Sequence, residues 1–76
     1  MIKIKLELIG PLKNRYLSNA IEMSYCGSVS VYNILKNAKV DFADVGMVIV
    51  EGVAVKKDYN IKRSCTIRLF PVFGGG

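Results

Sequence analysis

The residues with the most chemical meaning in this chain are its last three, Gly74-Gly75-Gly76. At a glycine frequency of about 7%, a chain ends in two glycines roughly once in 200 and in three roughly once in 3,000. Residues without a Cβ accept almost any φ/ψ, so a carboxylate carried on them can enter a narrow slot in another protein. The chemistry on offer is acyl transfer, since a carboxylate is a poor electrophile until one of its oxygens becomes a leaving group. A flexible linker or tag remnant is the competing reading. Against it, the glycines follow directly on the apolar stretch Leu69-Phe70-Pro71-Val72-Phe73, with no serine between.

Little else in the chain could do chemistry by itself. Histidine and tryptophan are absent, which excludes Ser-His-Asp and Cys-His nucleophiles, imidazole acid/base work and zinc sites with a His ligand. Cys26 and Cys65 lie 39 positions apart, with no CxxC, so neither a metal knuckle nor a redox pair is indicated. Cys65 could be read as a sulfur-handling nucleophile, but a cysteine opening a strand is more often a small half-buried apolar residue. No GxxxxGK phosphate loop occurs. No catalytic residue, metal or bound cofactor is therefore expected.

The chain has 76 residues, 51% hydrophobic and 22% charged, and its 11 Lys and Arg against 6 Asp and Glu give a net charge of +5. That is one domain, with enough apolar matter for a core, although a chain this small removes only about 60% of its unfolded surface from water. From Tyr59 onward come Lys62, Arg63 and Arg68 with no acid. These three are expected beside or on the strand that leads into the glycines, where they would either meet an acidic partner or serve only as a solvated surface. No Lys/Arg run exceeds two and no aromatic and basic interleaving accompanies them, so nucleic acid is not expected. No apolar run approaches a membrane span of about 18 to 20 residues, and Lys3, Lys5 and Glu7 interrupt the start too early for a signal-peptide core. The expectation is a cytoplasmic protein.

The elements that must position the glycines follow from periodicity. Ile2, Ile4, Leu6 and Leu8 alternate with Lys3, Lys5 and Glu7, a half-buried strand. Gly10-Pro11 ends it, and a polar loop, Lys13-Asn14-Arg15, is expected next. A second strand over Ala20 to Tyr25 forms a hairpin with the first. Val31, Ile34, Leu35 and Ala38 then fall at i, i+3, i+4 and i+7, a helix with one apolar stripe and Ser30 as its N-cap. Met47 to Val50 reads as a strand, Glu51-Gly52 as a turn and Val53 to Val55 as a short strand. The last strand carries Ile67 and Leu69 on one face and Thr66, Arg68 and Phe70 on the other, which aims Phe70 at the open face of the sheet, where an apolar patch implies a partner.

This order predicts an α+β fold of β-grasp type, a mixed sheet of four to five strands with one helix packed across one face. The first and last strands then lie parallel in the middle. The domain is expected over 1–73, with 74–76 as a flexible glycine tail. The same topology puts Cys26 and Cys65 about two strand spacings apart, roughly 9 to 10 Å, too far for a disulfide.

On Leu69-Phe70-Pro71-Val72-Phe73-Gly74-Gly75-Gly76 the chain resembles the MoaD/ThiS family of ubiquitin-like sulfur carriers, with Gly75-Gly76 as the diglycine and Gly74 in the variable place before it. Ser30-Val31 with Ile34-Leu35 is similar to the family's capped helix start, and Val48-Ile49-Val50-Glu51-Gly52 to its Val-Asn-Gly turn. The resemblance covers essentially the whole chain. It implies a carrier: an ATP-dependent, ubiquitin-activating-type adenylyltransferase activates the Gly76 carboxylate, and a sulfur donor converts it to a thiocarboxylate, the ATP being used by the partner. It also implies partner contacts from Arg68, Phe70, Pro71, Val72 and Phe73. Gly10-Pro11-Leu12-Lys13 resembles the Gly-Pro-Leu-Arg of molybdopterin synthase small subunits, which pair with a synthase large subunit. Val72 is a partial echo of the thiazole-synthesis carriers, which serve thiazole synthase. The molybdopterin branch fits better. A ubiquitin-like protein modifier using the same activated terminus, and a β-grasp binding module, stand as alternatives.

Overall fold

The computed structural model describes residues 1–72. In chain order they form β1 (Ile2–Leu8), a one-turn helix α1 (Pro11–Arg15), β2 (Ala20–Tyr25), β3 (Val29–Ser30), α2 (Val31–Asn37), a 3-10 turn (Phe42–Asp44), β4 (Val45–Val50), β5 (Val53–Val55), β6 (Asn60–Ile61) and β7 (Cys65–Pro71). The main sheet runs β2-β1-β7-β4-β5. β1 and β7 pair in parallel at its centre and the other neighbours are antiparallel. This is the mixed β-grasp sheet expected from the pattern, with five strands.

One face of the sheet is closed by α2. Ile4, Leu6 and Leu8 of β1 and Ile67 and Leu69 of β7 meet Val31, Ile34 and Leu35 of α2, each at most 1% exposed, and each such side chain contributes about 1.5 to 3 kcal/mol. α2 begins where its sequence says it should, because the Ser30 hydroxyl accepts from the Asn33 N–H at 3.1 Å. It ends with Lys39 in the left-handed region at φ 62. The Val40 N–H then bonds the Leu35 carbonyl and the Lys39 N–H the Lys36 carbonyl, a Schellman close that tucks Val40 into the core. Glu51 and Gly52, at φ 50 and 82, make the two-residue turn between β4 and β5, whose twist suits a tight hairpin.

Three features differ from the sequence expectation. The segment after Gly10-Pro11 is not a polar loop but the helical turn α1, because Pro11 pre-sets the first helical φ and Leu12 is drawn into the core at 2% exposed. The two-residue ladder β3–β6 and the 3-10 turn are too short to produce a hydrophobic period. The cysteines are farther apart than expected. Cys65 is level with Ile4 of β1, whereas Cys26 lies one residue past Tyr25, which is level with Ile2. An offset of three residues across two strand spacings makes roughly 14 Å, and both thiols are free.

Among the described residues no helix is long and apolar enough to cross a membrane, and no group of three His, Cys, Asp or Glu could hold a metal ion.

Candidate functional site

β7 is the last element before the glycines, which follow Val72 and Phe73 in the sequence. As a central strand it is hydrogen-bonded on both sides, and the Ile9 N–H still holds the Leu69 carbonyl at 3.0 Å after β1 has ended. Its alternation is as the sequence predicts. Ile67 and Leu69 point into the core, while Thr66, Arg68 and Phe70 lie on the open face. Phe70 is half-buried there, less exposed than a bare open-face position, because Met47 stands opposite it on β4. With Ile49 and Ala54 these two side chains make an apolar strip across β7, β4 and β5. Met47 itself is 50% exposed.

Arg68 lies on the same face with its Nε 3.0 Å from Glu7 Oε1 on β1. Pro71 is turned into the fold opposite Val45, and Val72 is exposed. Phe73, Gly74, Gly75 and Gly76 lie outside the described residues, so the partner contact expected of Phe73 and the activation and tail roles of the glycines have no geometry here.

Two features of this end were not foreseen. The pairing of β4 with β7 shifts register between Val45 and Met47, leaving Gly46 as the extra residue of a bulge. Gly46 lies so close to the backbone of Pro71 and Val72 that a side chain has no room. An isolated glycine in a strand pattern is the signal that could have found it. The second feature is a polar clamp. The Tyr16 hydroxyl donates to Asp44 Oδ2 at 2.5 Å and accepts from the Asp41 N–H at 3.0 Å, and Arg15 Nε donates to the same Asp44 oxygen at 2.7 Å. The Tyr16 hydroxyl first, and Arg15 second, hold the Asp44 carboxyl below its usual range, and the guanidinium is pushed up in return. The clamp ties the end of α1 to the turn immediately before Val45, the residue opposite Pro71. It thereby frames the place where the described chain ends.

Arg68 stands on β7 as expected, but the expected placing of Lys62 and Arg63 near the glycine end is corrected. Lys62 and Arg63 precede Cys65 and so sit at the start of β7, a seven-residue strand about 23 Å long, at the opposite end from Val72. Arg63 is also 3.7 Å from Glu51, and Arg68 is paired with Glu7. The register instead brings Lys56 into the row of Met47 and Phe70, because Val48 pairs with Val55. Cys65 lies at the same far end. Burial first, and Glu51 second, push its thiol up against the opposing effect of Arg63, which keeps it protonated and weakly nucleophilic.

No family model and no curated protein sequence matches the chain. Solved structures do. A Pyrococcus furiosus protein provisionally described as molybdopterin converting factor subunit 1 is similar with a TM-score of 0.76 at 17% identity, over 93% of this chain and 98% of that one. A crystal structure of SAMP1 from Haloferax volcanii is similar at 0.77 and 17%, over 97% and 99%. One of the Haloferax volcanii small archaeal modifier protein 1 gives 0.73 and 15%, over 93% and 98%. At these identities the likeness establishes a shared ubiquitin-like β-grasp fold.

Proposed function

We propose that the chain is a sulfur carrier of the MoaD/ThiS type whose working group is the carboxylate of Gly76. The observation that supports this best is the place of β7. A central strand, bonded on both edges and anchored by Ile67 and Leu69 at 0% exposed, leads directly into Phe73-Gly74-Gly75-Gly76. A rigid strand followed by residues without a Cβ suits a terminus that must reach a second protein's catalytic centre.

The chemistry is acyl activation. One oxygen of the Gly76 carboxylate attacks the α-phosphorus of ATP in an adenylating partner, pyrophosphate leaves, and the acyl-adenylate carries AMP as leaving group. A persulfide sulfur from a donor displaces AMP to form an acyl disulfide, and a thiol then cleaves the S–S bond to release the thiocarboxylate. ATP and its metal belong to the partner. The role of this chain is to dock through the strip of Phe70, Met47 and Ile49 and to extend Gly76. The finer assignment we propose is sulfur delivery in molybdopterin synthesis with a synthase large subunit, supported by Gly10-Pro11-Leu12-Lys13 and by the likeness to the Pyrococcus furiosus protein.

The test is intact mass after incubation with an adenylating enzyme, ATP and a sulfide source. The chain should gain the mass of an oxygen-for-sulfur exchange. Deleting Gly76 or adding one residue after it should abolish the gain and leave folding unchanged. An extended variant that still takes up sulfur would refute the carrier reading. Likeness to the archaeal modifier proteins favours one second reading, attachment to other proteins through the same activated carboxylate, which the Leu69–Gly76 remnant that trypsin leaves on target lysines after cutting at Arg68 would reveal.

A further inference from the structure

The two edges of the main sheet are treated differently. β5 has three residues and runs into Lys56-Lys57, the short, lysine-guarded edge that blocks strand addition. β2 has six residues, Ala20 to Tyr25, and Glu22 is its one charge.

The hydrogen-bond phase of β2 is fixed by two bonds. The Leu8 N–H donates to the Asn19 carbonyl at 2.9 Å, whereas the Ile9 N–H turns the other way, to Leu69. Even-numbered residues of β1 therefore bond β2, and by the β1–β2 register their partners are Ile21, Met23 and Tyr25. The backbone groups of Ala20, Glu22 and Ser24 point out from the sheet. Among the described residues none of the three has a backbone partner, and only the Ala20 carbonyl is met, by the Ser18 hydroxyl.

We infer that this edge pairs with the same edge of a second copy, antiparallel about a two-fold axis at Met23, joining two sheets into one of ten strands. Symmetry and phase select the register. Opposed residues must share a face, so the axis passes through a residue and not between two. Centring on Glu22 sets two carboxylates against each other. Centring on Ile21 sets Met23 against Asn19 and Tyr25 against Leu17, both outside the strand, and centring on Ser24 sets Glu22 against Cys26 and Ile21 against Gly27, again outside it. Centring on Met23 faces Ile21 with the partner's Tyr25 and Met23 with its copy, which joins the three half-buried apolar side chains of the helix side into one row.

In that register Glu22 and the partner's Ser24 exchange both backbone bonds, and the symmetric pair does the same, giving four bonds in all. The carboxylate of Glu22 enters the row that holds the partner's Ser24 and, on the next strand, its Lys3. The charges are complementary where the copies meet. β2 is separated from β7 by β1, so the pairing leaves the end at Val72 free.

The contact is small and belongs to the weak, transient class, so the experiment is sedimentation equilibrium of the full chain from about 10 μM to about 1 mM. The average mass should rise toward twice the monomer. Ser24→Pro should hold it at the monomer value, because its N–H faces outward and is not needed by the host sheet. The register is read separately with all native cysteines changed to serine. Met23→Cys sits in a non-hydrogen-bonded pair at about 4.5 Å between Cα atoms, inside the range a disulfide spans. It should cross-link under mild oxidation roughly ten-fold faster than Glu22→Cys or Ile21→Cys. Faster cross-linking at position 21 or 22 overturns the proposal. So does a monomer at every concentration, which would leave the edge to a strand from another protein.

Discussion

A β-carbon placed on Gly46 would lie 2.6 Å from the carbonyl oxygen of Pro71 and 3.0 Å from Cα of Val72. Both are backbone atoms of the segment that leads toward the glycines, and neither can swing aside as a side-chain tip could. The bulge in β4 thus allows Pro71 and Val72 to lie against the sheet.

Gly46→Ala should therefore force these strands apart, at about 1 to 3 kcal/mol of stability, and, under the proposed function, should slow activation of Gly76. Gly27→Ala meets nothing within 4 Å and should stay within about 0.5 kcal/mol. Denaturant unfolding of both, with amide exchange at Leu69, Phe70 and Val72, checks this. Equal behaviour of the two variants would show that Gly46 is only a spacer.

Under the proposed function, the two faces of β7 should separate stability from recognition. Leu69→Ala deletes a side chain at 0% exposure and should cost about 2 to 5 kcal/mol. Phe70→Ala removes a half-buried ring that packs on Met47 from the open face, and should cost less than half as much while weakening binding to the adenylating partner. Thermal midpoints and a binding titration on both variants measure the split. The same loss of stability in each would mean that the open face is structural.

Where periodicity is long and one face is buried, the sequence is legible. Seven residues of strict alternation placed β1, and the stripe Val31, Ile34, Leu35 placed α2 together with its Ser30 cap. The phase of β7 could be read from Ile67 and Leu69, which put Phe70 on the correct face. α1 was not legible because it inserts a single apolar residue, Leu12, and one residue has no period. The clamp of Arg15, Tyr16 and Asp44 joins positions 28 and 29 apart, which no local pattern encodes. Lys62 and Arg63 were misplaced because nearness in sequence to a strand does not say which end of it they occupy.

The clamp makes a pH prediction. Asp44 has its folded-state pKa depressed, by the Tyr16 hydroxyl first and Arg15 second. A depressed carboxyl contributes stability that is fully present above its unfolded pKa of about 3.9 and is lost as pH falls through the lower folded value. The stability gap between wild type and Asp44→Asn should hence be constant near neutrality and shrink below about pH 4. Tyr16→Phe should narrow the gap more than removal of the Arg15 charge. Urea unfolding across pH reads it, and a gap that grows on acidification would contradict the assignment.

The last prediction concerns how the chain would meet the adenylating partner of the proposed function. The net charge of +5 attracts an acidic surface at long range, but only charges near the docking strip orient the encounter. Arg68 is held by Glu7 at 3.0 Å and Arg63 lies near Glu51 at the far end of β7. Lys56, in the row of Phe70 and Met47, is the lysine beside the strip. Lys56→Glu should therefore slow association more than Lys62→Glu or Arg63→Glu, and the difference should fade as salt screens charges beyond about 8 to 10 Å. Stopped-flow association across a salt series separates the cases. If charge reversal at Lys62 slows the encounter as much as at Lys56, the partner senses only total charge, and apolar contact with Phe70 and Met47 sets the orientation.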